Sequence, residues 1–301
     1  WCIDTHTAGE PTRIVVSPLP IIWKGSVAQA RESLKDEHDN LRRALIWEPR
    51  GHRDMFGAVI LPPSDPEADL GVVFMDGSGY LSMCIHGSIG TVTAALETGF
   101  IEMHSPVTEV TLETPSGIVK ASATIDGSKV KEVTIRNVPS FLYDTGSIDI
   151  PGIGRITVDI AFGGNFFAIV DAKELKVTVA PESYDQLVRI GLAIMHEANN
   201  KFQVAHPVNK HIQSIDLVEI CTKPSDPRAH SKNATVFGRG QIDRSPCGTG
   251  TCAKMAALHA KGRLGLGEEF INEGILGTSF RGRLLATTRV GEFKAVVPEV
   301  T

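Results

Sequence analysis

The sequence contains no long hydrophobic run and no cluster of basic residues. No apolar segment approaches the roughly 18 residues that a membrane-spanning helix needs, so we expect no membrane partner. The net charge of −5 gives no reason to expect a nucleic-acid partner. No signal-peptide pattern opens the chain, although its start at Trp1 rather than Met predicts that at least one residue precedes it. A small acidic ligand would have to be held by local donors rather than by overall charge.

Cysteine is scarce as well. An odd number of cysteines at irregular spacing argues against a disulfide framework and indicates a reducing compartment, the cytoplasm. The spacings typical of structural zinc, P-loops and dinucleotide sites are absent. A mononuclear metal site stays open as an alternative, because Cys84-x-His86 and Asp243-x-x-x-Cys247 supply four possible ligands. The five cysteines are Cys2, Cys84, Cys221, Cys247 and Cys252.

The 301 residues exceed the usual length of one domain, so two domains are expected. Turn residues recur about every 8–12 positions between short apolar segments, which predicts antiparallel, β-rich units. Helical periodicity is limited to a few stretches, among them 26–44 and 182–199. Strands are predicted at 12–19, 57–63, 70–79, 107–117, 118–127, 129–139, 154–164, 165–172, 214–222 and 233–240.

Two further helical stretches form an internal repeat. CIHGSIGTVTAALETG (84–99) aligns without gaps with CGTGTCAKMAALHAKG (247–262). Each begins with Cys, continues through a small turn into an Ala-rich helix, and ends at a Gly that can cap the helix. Each also follows a strand that ends in a Gly-x-Gly turn. The repeat predicts a duplicated α+β fold whose pseudo-twofold symmetry brings the two helix N-termini together at the domain interface, where small-molecule sites often lie.

The paired cysteines at these helix starts suit carbon-acid chemistry. The positive end of a helix and its unpaired N–H groups should lower the thiol pKa and can bind a carboxylate. One thiolate, from Cys84 or Cys247, would remove an α-proton while the opposite thiol delivers a proton to the other face. Such a pair inverts a stereocentre without a cofactor, so no cofactor is expected. Cys221, in an apolar strand, and Cys252, inside the second helix, are interpreted as small buried hydrophobic residues instead.

Several motifs resemble the proline racemase family, which includes hydroxyproline epimerases and 3-hydroxyproline dehydratases. The resemblance covers nearly the whole chain and implies the diaminopimelate-epimerase-like fold, with domains at 1–140 and 141–301. It also implies a small amino acid as the ligand, and a homodimer is a further expectation. The motifs are DTHTAGEPTRIV (4–15), EPRGHRDMFGA (48–58), MCIHGSIG (83–90), FGGNFFAIVD (162–171) and DRSPCGTGT (243–251).

The resemblance implies a role for each matching residue. Cys84 and Cys247 match the two acid–base cysteines, and His86 and Asp243 match the residues that contact the ring nitrogen of the substrate. Without the resemblance, His86 would be interpreted as a core histidine and Asp243 as a capping group. The residues that match carboxylate-binding turns are Gly87, Ser88, Gly248 and Thr249.

Both cysteines are retained, whereas family dehydratases look different because Ser or Thr replaces one of them. Racemisation or epimerisation is therefore predicted. Phe56 and Phe237, with Leu217 as a weaker match, fall where apolar side chains cover the proline ring, which favours proline. The HGSIG turn looks nearer to the epimerases, and an apolar pocket rejects a hydroxyl by only about 10²-fold. A 4-hydroxyproline 2-epimerase is therefore the main alternative.

Two departures from the family pattern bear on this prediction. Ile85 stands where the family usually has Gly, which could narrow the pocket or tilt the first helical turn. The chain also ends at VPEVT, where relatives look longer, so a terminal strand is expected to be missing. Two other classes stay open, a non-catalytic amino-acid-binding protein and a metal-dependent hydrolase. A binding protein would not need a thiol pair.

Overall fold

The computed structural model describes residues 1–16 and 25–301, which form two compact units. The first unit comprises Trp1–Arg136 and Thr301, and the second comprises Asn137–Val300. The division falls a few residues before the predicted boundary at 140. The first predicted strand, 12–19, extends past the described residues, so its last three positions lie outside them.

In the first unit, the described residues contain eight strands and three helices. The strands are β1 (Cys2–Thr7), β2 (Glu10–Val15), β3 (Gly57–Leu61), β4 (Leu70–Met75), β5 (Tyr80–Leu81), β6 (Val107–Thr114), β7 (Gly117–Asp126) and β8 (Lys129–Arg136). The helices are α1 (Val27–Glu37), α2 (Asp39–Ile46) and α3 (Ile85–Glu97). The predicted helix at 26–44 is thus two helices, which meet at His38.

The second unit contains nine strands and three helices, with a 3-10 turn at Pro181–Ser183. Its strands are β9 (Phe141–Ile150), β10 (Gly154–Phe162), β11 (Phe166–Asp171), β12 (Ile215–Thr222), β13 (Ser231–Phe237), β14 (Gln241–Asp243), β15 (Glu269–Glu273), β16 (Ser279–Val290) and β17 (Phe293–Val300). Its helices are α4 (Ala172–Leu175), α5 (Tyr184–Lys201) and α6 (Gly248–Ala260).

Strand pairing within the two units follows one scheme. In the first unit, β1–β2, β3–β4, β4–β5, β6–β7 and β7–β8 are antiparallel, and β2–β3 and β4–β6 are parallel. In the second unit, β10–β11, β12–β13, β13–β14, β15–β16 and β16–β17 are antiparallel, and β11–β12 and β13–β15 are parallel. β9 adds a further antiparallel neighbour to β10. The predicted duplication is confirmed.

The expected antiparallel, β-rich units describe most of these pairings, but each unit also has two parallel pairings that the sequence did not indicate. Parallel neighbours need a crossover connection, usually a helix. The helices α1 and α2 lie between β2 and β3 in the sequence, and α4 and α5 lie between β11 and β12. The predicted α+β class itself is confirmed.

The helices α3 and α6 lie where the repeat predicted them, and each contacts strands of its own unit. Ten of the thirteen residues of each helix are buried, which agrees with their Ala-rich, mostly apolar sequences. Gly99 and Gly262 follow their ends with positive φ values of 77° and 68°, a conformation that glycine adopts without strain. Among the residues that the structure describes, no helix is long and apolar enough to cross a membrane.

Candidate active site

Cys84 caps the N-terminus of α3. Its backbone is extended, with φ −149° and ψ 122°, so its side chain can fold back over the first turn. The sulfur accepts a hydrogen bond from the backbone N–H of Gly87 at 3.3 Å. Cys84 is buried, so this helical N–H acts on the thiol with little screening by solvent.

The imidazole of His86 lies directly beside this thiol. Its Nδ1 is 3.1 Å from the Cys84 sulfur, and its ring meets the ring of Phe56 edge-on with centroids 4.5 Å apart. Burial lowers the pKa of His86 to about 3, so the ring is neutral at physiological pH. A neutral imidazole with its proton on Nδ1 donates a hydrogen bond to the sulfur. His86 therefore places a polar group but no net charge beside Cys84.

The first turn of α3 uses the donors of Ser88 internally. Its N–H and its hydroxyl both bond the carbonyl oxygen of Cys84, at 3.1 and 2.7 Å. At the equivalent position of α6, the N–H and hydroxyl of Thr251 bond the carbonyl oxygen of Cys247, both at 2.8 Å. These two matched residues therefore close their helical turns. The first two amides of each helix have no acceptor within the helix.

Cys247 caps α6 in a different conformation. Its φ of 59° is positive, which is uncommon for a residue other than glycine, and its side chain makes no capping hydrogen bond. Its N–H donates to the hydroxyl of Ser245 at 3.1 Å, and its sulfur lies 4.0 Å from the Thr249 hydroxyl. Strained backbone of this kind is common at functional sites, where the surrounding structure maintains it.

Asp243 lies at the end of β14, four positions before Cys247, and is buried. Its Oδ1 accepts the N–H of Ser245 at 2.8 Å. Burial raises the pKa of Asp243 to about 6, although the hydrogen bonds from Ser245 work in the opposite direction. The carboxyl group is therefore mostly ionised only above that pH.

Burial is also the main reason why the pKa of the Cys247 thiol lies well above its ordinary value, and the negative charges of Asp243 and Glu219 raise it further. The expectation that the start of a helix lowers the pKa is therefore wrong for Cys247. The helix dipole contributes about 0.3–1 kcal/mol. That is less than one pKa unit, whereas burial and like charges shift pKa values by several units.

The apolar residues expected around the ligand are all buried. Phe56 is buried and immediately precedes β3, and its ring also neighbours that of Phe74, with centroids 6.3 Å apart. Phe237 is buried at the end of β13, where it pairs across the strands with Leu217. Ile85 is buried as the first residue of α3. Gly248 and Thr249 are the first two residues of α6.

A buried ion pair near Cys247 was not anticipated from the sequence. Glu219 of β12 and Lys254 of α6 are both buried, with Oε1 and Nζ 2.9 Å apart. The sequence signal was an acidic residue with apolar neighbours on both sides in the strand IDLVEICT. Within the described ranges, no cluster of three or more His, Cys, Asp or Glu side chains has an arrangement that could hold a metal ion.

Known proteins resemble the whole chain. A family model described as "Proline racemase" matches residues 2–301. The proline racemase of Acetoanaerobium sticklandii is 52% identical over 301 residues, which cover 99% of this chain and 90% of that protein. The 4-hydroxyproline 2-epimerase of Streptosporangium roseum is 42% identical over 300 residues, again covering 99% of this chain and 90% of the relative.

A solved structure shows the same fold. The hydroxyproline epimerase from Agrobacterium vitis, with bound trans-4-OH-L-proline, superposes with a TM-score of 0.95 at 34% identity. The match covers 99% of this chain and 88% of that chain. Since the sequence and the structure agree over nearly the full length, the protein belongs to the proline racemase family and is an isomerase of the racemase and epimerase type, with the diaminopimelate-epimerase-like fold.

Proposed function

We propose that the protein racemises proline by two-thiol acid–base catalysis. One thiol, of Cys84 or Cys247, removes the α-proton as a thiolate, and the other donates a proton to the opposite face of the carbon. The observation that carries the proposal is that both cysteines cap buried helices at matched positions of a duplicated fold. Neither thiol is consumed in a disulfide, since all five cysteines are free.

The proposal gives the two polar neighbours of the thiols a role at the ring nitrogen. Above pH 6 the ionised Asp243 supplies a negative charge for the secondary ammonium of proline, and His86 supplies a neutral hydrogen-bonding group. The substrate carboxylate is held by N–H groups at the starts of α3 and α6. Negative charge that develops on it as the α-proton leaves is stabilised by the same donors.

The internal bonds of the first turns refine the set of carboxylate donors. Gly87 donates its N–H to Cys84, and both donors of Ser88 are used within the helix. We therefore assign the carboxylate contact in α3 to the amides of Ile85 and His86. They align in the repeat with Gly248 and Thr249, to which we assign the contact in α6.

Proline is favoured over 4-hydroxyproline because the flanking side chains, Phe56, Phe237 and Leu217, are apolar and buried. A hydroxyl placed against them would lose its hydrogen bonds with water without gaining a partner. The known relatives include both proline racemases and 4-hydroxyproline 2-epimerases, so 4-hydroxyproline is the second candidate substrate.

The proposal also includes a homodimer, located in the reducing cytoplasm. Light scattering of the purified protein tests the oligomeric state.

The deciding experiment is exchange of the α-proton in D₂O, followed by NMR, with L-proline and trans-4-hydroxy-L-proline as parallel substrates. We expect exchange and the stereoinverted product with L-proline, at a kcat/KM at least several times that for the hydroxylated substrate. Preference for trans-4-hydroxy-L-proline would replace racemisation of proline by epimerisation. Binding of either amino acid without exchange would contradict the catalytic proposal and favour a binding protein.

A further inference from the structure

A carboxylate in the interior of the second unit has no role in the proposed chemistry so far. Glu219 is fully buried in β12, and five of the eight residues of that strand are apolar. The matching strand of the first unit, β3, is entirely apolar, with the sequence GAVIL. The fold can therefore form without a charged residue in this strand. A buried charge costs free energy unless it is fully paired, which calls for a specific reason to retain it.

The two oxygens of Glu219 have unequal surroundings. Oε1 lies 2.9 Å from the Nζ of Lys254 and accepts a hydrogen bond from the side-chain amide of Asn233, also at 2.9 Å. Oε2 is equally buried and has no hydrogen-bond partner among the described residues. A buried acceptor that forms no hydrogen bond is unfavourable, so packing alone does not favour this arrangement.

The unpaired oxygen and the thiol of Cys247 approach the same residue of α6, Gly250. A methyl group added at Gly250 would lie 3.2 Å from Oε2 and 3.0 Å from the Cys247 sulfur, so both atoms border the same point on the first turn of α6. The other oxygen of Glu219, Oε1, is linked through Asn233 to Pro246, the residue before Cys247. The amide of Asn233 that bonds Glu219 also donates to the carbonyl oxygen of Pro246, at 3.1 Å, and Asn272 donates to the same oxygen, at 3.0 Å.

We propose that Glu219 is a positioning residue for Cys247: it anchors the turn that holds this cysteine at positive φ, and its unpaired oxygen places negative charge beside the thiol. The inference rests on the proposed function, in which Cys247 is one of the two acid–base groups. A negative charge nearby favours the neutral form of a thiol. In the resting enzyme the charge of Glu219 therefore favours the protonated form of Cys247.

The other charged groups around Cys247 determine the net effect. Asp243 of β14 also raises the pKa of the thiol. Lys254 of α6 has the opposite sign, but it contacts Oε1 and not the oxygen that borders the sulfur. The charge that remains on the side of the thiol is negative.

The test is the pH dependence of alkylation of Cys247 by iodoacetamide, measured on its peptide by mass spectrometry in the full-length protein. In the unmodified protein we expect a midpoint above the ordinary thiol value of about 8.5. In Glu219→Gln we expect the midpoint of alkylation to fall by about one pH unit or more. The alkaline limb of the kcat/KM profile should shift to lower pH by the same amount. An ordinary midpoint in the unmodified protein, or an unchanged midpoint in folded Glu219→Gln, would overturn the proposal.

Glu273→Gln is the matched control, because Glu273 is also a buried carboxylate of the second unit, paired with Lys232 at 2.9 Å. It should leave the Cys247 midpoint unchanged. If Glu219→Gln fails to fold because Lys254 loses its partner, the double variant Glu219→Gln, Lys254→Met removes both charges and should show the same lower midpoint. Alkylation is measured without turnover, so an unchanged midpoint rejects the role of Glu219 and leaves the proposed function untouched. Full activity of Cys247→Ser would instead reject the proposed function.

Discussion

The starts of α3 and α6 occupy matched positions in the repeat, yet they give their cysteines different environments. Cys84 has an extended backbone, accepts an N–H from its own helix and lies beside the neutral ring of His86. Cys247 has a positive φ, forms no capping hydrogen bond and lies near two carboxylates. Duplication of a fold therefore preserved the position of the thiol while its electrostatic surroundings diverged. The start of a helix does not set the protonation of a cysteine when buried charges are close.

The largest effect that we expect comes from removing either thiol. Cys84→Ser and Cys247→Ser should each lower kcat for inversion by about 10³-fold in both directions, because each thiol serves a different face of the α-carbon. Chiral chromatography of the products measures this loss. Residual α-proton exchange in D₂O should be confined to opposite enantiomers in the two variants, since each retains a base on one face only.

Cys252→Ser is the matched control for these variants. Cys252 is buried within α6, close to Cys247 along the chain, but it has no role in the proposed chemistry. It should retain inversion within a few-fold of the unmodified protein. Full racemisation by either single variant, Cys84→Ser or Cys247→Ser, would reject the two-thiol scheme and with it the division of roles between the two helix starts.

A smaller effect should separate the polar neighbours of the two thiols. The pKa of Asp243 is about 6, so its negative charge is present above that pH and is lost as the pH falls through it. The pKa of His86 is about 3, outside the working range. We expect an acidic limb of kcat/KM near pH 6 in the unmodified protein and in His86→Gln. Asp243→Asn should lack this limb and be about 10²-fold slower at pH 8.

The pH profiles of these two variants are each other's control, because each removes one polar neighbour and leaves the other. Persistence of the limb near pH 6 in Asp243→Asn would assign it to another group. Its loss in His86→Gln would show that the two helix starts titrate as one system. Either result would remove the electrostatic distinction between Cys84 and Cys247.

The sequence predicted the parts of the molecule that local patterns determine. The positions of α3 and α6, the cysteines at their starts and the glycines after their ends all follow from periodicity and capping within 16 residues. The parallel pairings β2–β3 and β11–β12 were missed, because alternation along a strand does not specify its neighbour. The break between α1 and α2 was also missed, since the helical pattern continues through His38.

The surroundings of Cys247 were even less accessible from the sequence. Glu219 lies 28 positions before Cys247 and approaches it only because the fold brings its side chain to Gly250, in the first turn of α6. Its pairing with Lys254 depends on the same packing. Burial of both thiols depends on the whole fold, so a rule for helix starts could not predict that the pKa of Cys247 is raised. The signal that could have identified this site was an acidic residue between two apolar neighbours in a core strand.

The smallest expected effects come from a matched pair of glycines, Gly87 and Gly250, which align in the repeat. A methyl group at Gly87 would lie 3.0 Å from the ring of Phe74, a core residue, and 3.3 Å from that of Phe56, and neither of these rings carries a reacting atom. A methyl group at Gly250 would instead lie 3.0 Å from the Cys247 sulfur. Both distances require neighbouring atoms to shift by a few tenths of an ångström.

Because these neighbours differ, the same substitution should act on different properties in the two helices. Gly87→Ala should lower the free energy of unfolding by about 1–2 kcal/mol, since overpacking costs about 1–3 kcal/mol and alanine recovers part of that through its helix propensity. Its kcat should fall by less than about threefold. Gly250→Ala should be about as stable as Gly87→Ala. Its kcat should be about tenfold lower than that of the unmodified protein, because the added methyl group displaces a reacting sulfur. Thermal melts and initial rates measure both, and equal losses of kcat would mean that the two helix starts tolerate displacement alike, whatever their charges.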